Sequence, residues 1–244
     1  MSAAALAWRQ FRFERRQFWR NPTAAFFNFV LPLLFLVLAA SVFSSDPDEL
    51  DVLVPGIAGM AIMATTFSAL AFNLTFLREQ GILKRMRGTP LPPSAYFTGL
   101  VGSAVANAFV QVALVVAIGH LAYGVGLPQD WLAVALFTLA GVVAFASLGI
   151  AFSYAIPNFD AAAAYVNAVF LPLLFISGVF YSVDSLPPVL EAISQALPLT
   201  HVIDGLSEGI VGGGGIDSEL TALAAVGAWA LVGVFCALRF FRWE

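Results

Sequence analysis

All eleven Lys and Arg residues of this 244-residue chain fall in three short segments, 9–20, 78–87 and 239–242. Around them lie six apolar runs, at roughly 24–43, 52–76, 95–122, 131–156, 162–181 and 220–238, each near the ~20 residues needed to cross a hydrocarbon core. Six crossings bring the three basic segments to one side. Cationic loops resist translocation and so set orientation, which predicts that this side is the cytoplasm and that both termini lie on it. The complementary loops hold Asp46, Asp48, Glu49, Asp51, Asp130, Asp184, Glu191, Asp204, Glu208, Asp217 and Glu219 and no base. The formal net charge of -4 therefore conceals a polarised molecule, and no nucleic-acid partner is expected.

With 60% hydrophobic and 11% charged residues and a mean hydropathy of +0.90, the composition excludes an ordinary soluble globule. Six spans and their connections use up the chain, so residues 1–244 are expected to form a single transmembrane domain. No room remains for a soluble catalytic domain of ~100 residues or more. The lone cysteine, Cys236, allows neither an intrachain disulfide nor a thiolate metal site. Five arginines and bulky aromatics precede the first apolar run, a pattern unlike a cleaved signal peptide.

The expected fold is all-α: six transmembrane helices, an N-terminal interfacial helix, and short re-entrant outer helices between spans five and six. In residues 4–20, Arg9, Arg12, Arg16 and Arg20 recur at helical spacing along one stripe, with Phe11 and Phe18 nearly opposite. That pattern predicts an amphipathic helix lying in the interface, with Trp8 and Trp19 at headgroup level. Spans four and five are separated only by Ile156-Pro157-Asn158-Phe159-Asp160. Pro32 and Pro172 mark expected kinks. The extracellular segment 182–219 is too polar to span. It reads as two short amphipathic helices, Leu186 to Ala196 and His201 to Ile210, broken at Pro198 and followed by Gly212 to Gly215. Their apolar faces predict docking against the membrane domain.

Several chemistries are missing. Lys84, the single lysine, follows Leu83 rather than Gly, so no glycine-rich phosphate loop of the G-x-x-x-x-G-K-[ST] type exists. Neither H-E-x-x-H nor G-x-S-x-G occurs. No acid or base lies mid-span, as a proton or sodium relay would require, and His120, near the outer end of run three, is expected to be satisfied or solvated. No catalytic residue, metal site or cofactor is therefore assigned to the chain. Energy should arrive from outside it.

The most specific stretch runs Leu77-Arg78-Glu79-Gln80-Gly81-Ile82-Leu83-Lys84-Arg85-Met86-Arg87-Gly88-Thr89-Pro90-Leu91. It predicts a stubby basic helix between spans two and three, closed by Gly88 and by Pro90, Pro92 and Pro93, and suited to docking a soluble partner through charge. Arg78, Glu79, Gly81, Leu83, Arg87, Thr89 and Pro90 resemble the R-E-x-G-x-L-x-x-x-R-x-T-P pattern of ABC-2 type permeases, the membrane subunits of ABC exporters that include daunorubicin-resistance-like multidrug efflux permeases. The resemblance continues through the basic N-terminal helix, Asn158-Phe159-Asp160, and Leu197-Pro198-Leu199-Thr200-His201. The last block departs from the family pattern at Ala196, where Asn is common, and at Glu208, where a base often falls.

The resemblance implies a bacterial or archaeal plasma-membrane permease that pairs with a second copy or a related permease. Two copies of a separate ATPase subunit would carry ATP and Mg. The coupling loop, residues 77–94, would receive the ATPase movement through Arg78, Glu79, Gly81, Leu83, Lys84, Arg85 and Arg87. Spans two and five would line a path at the dimer interface, with Thr66, Phe67, Phe72 and Asn73 from one and Asn167, Phe170 and Ser177 from the other. The expected cargo is a hydrophobic or amphiphilic small molecule such as a drug, antibiotic or lipid-like compound. Export of polysaccharide or teichoic-acid precursors is the alternative within the family, and an ATPase-independent channel or scaffold the alternative outside it.

Overall fold

The computed structural model describes residues 2–43, 47–212 and 216–240; Asp46, Gly213 to Gly215, Arg242 and Glu244 lie outside the described residues. Every regular element among the described residues is helical. Helix α1 (Ala3–Trp19) begins where the Ser2 hydroxyl accepts the Ala5 N–H. Then come α2 (Pro22–Phe43), α3 (Pro47–Met63), a five-residue π-helical segment (Ala64–Ser68) and α4 (Ala69–Glu79). The remainder is α5 (Ile82–Arg87), α6 (Pro93–Tyr123), α7 (Trp131–Ser153), α8 (Phe159–Ile176), α9 (Pro188–Ser194), α10 (Pro198–Ile210) and α11 (Ile216–Phe240). Among the described residues, six stretches are long and apolar enough to cross a membrane: Ala25–Val42, Asp48–Glu79, Pro93–Tyr123, Trp131–Ser153, Phe159–Ile176 and Glu219–Phe240. The second contains the π segment, which no sequence signal announced.

The spans are not equivalent. Of the second, 78% is buried within the chain, and of the fourth, 67%; of the first, fifth and sixth, only 17% each. Helix α7 is the hub, touching α3, α4, α6, α10 and α11. Lipid offers no hydrophobic force between helices, so close approach through small residues does the holding. A Cβ on Gly149 of α7 would sit 2.6 Å from the Phe67 carbonyl oxygen inside the π segment, and one on Gly56 of α3 would sit 2.1 Å from that of Val179.

The two ends of the bundle differ in charge. Helices α1 and α5 and the last turn of α11 carry the bases at one end. Helix α1 lies along the first half of α6, where Gly99 lets the Gln10 side chain and the Phe11 backbone come close and the Arg15 guanidinium donates to Asn107 Oδ1. Arg9, Arg12, Arg16 and Arg20 remain exposed, as their stripe predicted. At the opposite, acidic end the His120 Nδ1 is 2.8 Å from the Val125 carbonyl oxygen, so its ring is satisfied as expected.

Helix α10 begins at Pro198, earlier than His201, because a proline at the first helical position initiates rather than breaks. It packs against α3, α7 and α11. Gly209 abuts Val134, Gly205 abuts the Phe137 ring, and Val202 abuts Gly141, so α10 runs antiparallel to α7. Trp229, midway along α11, donates its indole N–H to the Ala196 carbonyl (3.0 Å). The docking expected of this segment is therefore present.

Candidate functional site

At the basic end, α4 finishes with Arg78 and Glu79, and these adjacent residues grip the two ends of the loop between α7 and α8. The Arg78 guanidinium donates from Nη1 to the Ser153 carbonyl (2.9 Å) and from Nη2 to that of Ile156. The Ser153 carbonyl is the last of α7, where helical acceptors lack partners and a cation is favoured, and that of Ile156 lies three residues further on, in the loop. Glu79 Oε2 accepts the Phe159 N–H at 2.6 Å. Phe159 is the first residue of α8, whose N-cap Asn158 accepts from Ala161, so the carboxylate meets the positive end of the helix dipole. The Phe76 and Phe159 rings cross edge to face at 5.4 Å. Charge-assisted bonds of this kind are the stronger ones.

Past this bridge the chain turns sharply. Gly81 sits at φ +65°, with its N–H on the Arg78 carbonyl, a left-handed position that favours glycine. The turn swings α5 so that Leu83 is fully buried among Leu70, Leu74, Tyr96, Leu100 and Ile150. Lys84, Arg85 and Arg87 stay exposed, with Arg85 Nη2 also reaching the Gln80 carbonyl (3.2 Å). The Thr89 hydroxyl caps the Met86 carbonyl (2.7 Å), and Pro93 then opens α6. The motif thus divides in two. Arg78, Glu79, Gly81 and Leu83 build the corner, while the three later bases face outward. The sequence carried both R-E-x-G and Asn158-Phe159, but nothing in their spacing joined one to the other.

The seven residues assigned to a path do not come together within the chain. Phe72 and Asn73 line a cavity of about 760 Å³ between α1, α2, α4 and α6. Phe67 faces a separate, apolar cavity of about 410 Å³ between α3, α7, α8 and α11, where its ring meets Phe152 at 5.3 Å. Thr66 reaches neither; it is buried with its hydroxyl on the Ile62 carbonyl (2.6 Å). On α8, Asn167 is exposed and Phe170 packs on the central cluster, and just past its end Ser177 is wholly buried with an unpartnered hydroxyl. Two further residues in the wall of the larger cavity carry no signal in the sequence pattern. Thr65 is buried with its hydroxyl unpartnered, and Glu14 accepts a bond from Gln10 Nε2 (2.6 Å) while burial pushes its carboxyl above the ordinary value. The π segment, invisible to pattern reading, lies on this wall at Thr65.

A family model described as ABC-2 type transporter matches residues 2–211. Among curated relatives, the inner membrane transport permease YadH of Escherichia coli K12 is 28% identical over 160 residues, covering 66% of this chain and 62% of that protein. Nodulation protein J of Rhizobium leguminosarum bv. trifolii is 32% identical over 152 residues, covering 61% and 56%. The putative transport permease YvfS of Bacillus subtilis is 23% identical over 206 residues, covering 82% and 83%. The chain thus spans somewhat less than two thirds of the length of YadH and of nodulation protein J.

Proposed function

The chain belongs to the ABC-2 type transporter family, and from that premise we propose that it is the membrane permease of an ATP-driven exporter of hydrophobic or amphiphilic small molecules. Permeases of this family work with an ATPase subunit. Two copies of that subunit would sit under a pair of permeases in a bacterial or archaeal plasma membrane, on the basic side, which is cytoplasmic by the positive-inside rule. Helices α9 and α10 would dip into the outer leaflet from the other side. The exposed faces of α2, α8 and α11 would be taken up by lipid and by the second permease.

One observation carries the coupling role: Arg78 and Glu79 tie the end of α4 to the end of α7 and the start of α8. An ATPase pressing on the exposed Lys84, Arg85 and Arg87 face would therefore move α5, and through the bridge would drag α8, as a rigid-body transition. The largely aromatic and amide-lined cavity of about 760 Å³ supports a drug-sized cargo over a polymer. Purification of the tagged chain from its native membrane, with identification of what accompanies it and an ATPase assay, tests the proposal. A nucleotide-binding subunit and ATP turnover are expected; a chain that emerges alone and inactive overturns it.

A further inference from the structure

We infer that the cavity beneath α1 is a binding site for an amphiphile that carries a protonated amine beside a hydroxyl or carbonyl oxygen. This names a cargo class for the exporter proposed above and rests on that proposal. The volume of about 760 Å³ holds a drug-sized molecule. Phe18, Phe27 and Phe72 supply apolar surface, while Asn73, Asn107 and Ser103 bring polar groups into the same wall.

Charge decides the sign of the headgroup. Glu14 is the sole charged side chain in that wall among the described residues, although α1 is otherwise basic. Its recorded partner is the neutral Gln10 amide. Arg15, its neighbour in sequence, is held on Asn107 Oδ1 and over the Trp19 ring, and does not line the cavity. An anion entering would meet an unneutralised carboxylate; an ammonium would supply the missing counter-charge. The oxygen requirement comes from two orphans. Asn28 Nδ2, a donor, is buried and unpartnered, and so is the hydroxyl of Thr65, which is 3% exposed. Both line the cavity. Polar groups buried without partners cost free energy, and a ligand oxygen would satisfy Asn28 while Thr65 either donates or accepts.

Binding of a dansyl-labelled long-chain amino alcohol to the full chain in phosphatidylcholine nanodiscs tests this, with its N-acetylated form as the uncharged control. Saturable binding is expected, weakened about tenfold by Glu14→Gln, in line with loss of one bond to a charged group, at unchanged elution volume and with a melting temperature no lower than that of the wild type. Asn28→Leu should weaken the amino alcohol and leave a plain alkylamine of equal length unaffected. Equal affinity in wild type and Glu14→Gln, or equal affinity for the amine and its acetylated form, overturns the site. The measurement needs neither nucleotide nor ATPase. Its failure would leave the exporter proposal to its own co-purification result, and absence of an ATPase would leave a positive binding result intact.

Discussion

The two ends of this bundle are held by different physics. At the acidic end α10 is held by shape: its apolar face closes on α3 and α7 at Gly59, Gly205 and Gly209, where an added Cβ would come within 3.0 Å of a neighbour, and makes a tight contact at Gly141. At the basic end, the α4 to α8 junction is held by a few charge-assisted bonds from Arg78 and Glu79 to backbone groups of a short loop. Close-packed surfaces resist gradual sliding, whereas a bridge of discrete bonds can be broken one residue at a time. A machine driven from the basic side would have its adjustable joint at that bridge and its fixed seal at α10.

The largest effect that would break this contrast is Gly205→Val. Its Cβ would lie 2.2 Å from the Phe137 ring, so α10 should lift from α7 at a cost of about 3 kcal/mol, read as a lowered melting temperature in detergent. An unshifted melt would mean that the acidic end is not close-packed. Next is Arg78→Ala, which removes two bonds to a charged donor and should cost about 2 kcal/mol. Hydrogen exchange should quicken across residues 153–160 while α10 stays protected; loosening at both ends would show that they are not independent. Gly81→Ala forces a left-handed φ of 65° on a residue with a Cβ and should cost about 1 kcal/mol, confined to α5.

The smallest effect concerns Glu14. Burial raises its carboxyl above the usual value, so the folded state favours the protonated form. The resulting stability is full below the unfolded value and is lost as pH rises through the raised one. Glu14→Gln should therefore flatten the decline in melting temperature on going from mildly acidic to neutral pH. A variant that melts earlier at neutral pH than the wild type would contradict this.

Much of the fold was legible because membrane physics writes it in large letters. Six runs of sufficient length, the basic segments, the Arg stripe of α1 and the glycine and prolines that punctuate α5 all appear as patterns within short windows. The structure also places Phe72 and Asn73 on a cavity within the chain, whereas the family resemblance implies a path at a dimer interface. What escaped is non-local. The Arg78 to Ser153 and Glu79 to Phe159 bonds join residues about 75 to 80 positions apart, and no periodicity relates such positions. The π segment at Ala64–Ser68 left no compositional mark, since its stabilisation lies partly in Gly149 on another helix. That extra residue in the turn also changes which side chains share a face, so Thr65 lines the cavity wall while Thr66 bonds back to its own helix.

Within one short segment, residues 78–87, docking and transmission would fall to different side chains. The most direct test of that division compares two variants after co-purification with the ATPase subunit: Arg78→Ala, and the double charge reversal Lys84→Glu with Arg85→Glu. The double reversal should lose the ATPase from a normally melting permease, whereas Arg78→Ala should retain the ATPase but abolish the change in ATP turnover that amphiphile produces. Retention of the ATPase by the double reversal, together with its loss from Arg78→Ala, would show that the exposed bases do not dock it and that the bridge does.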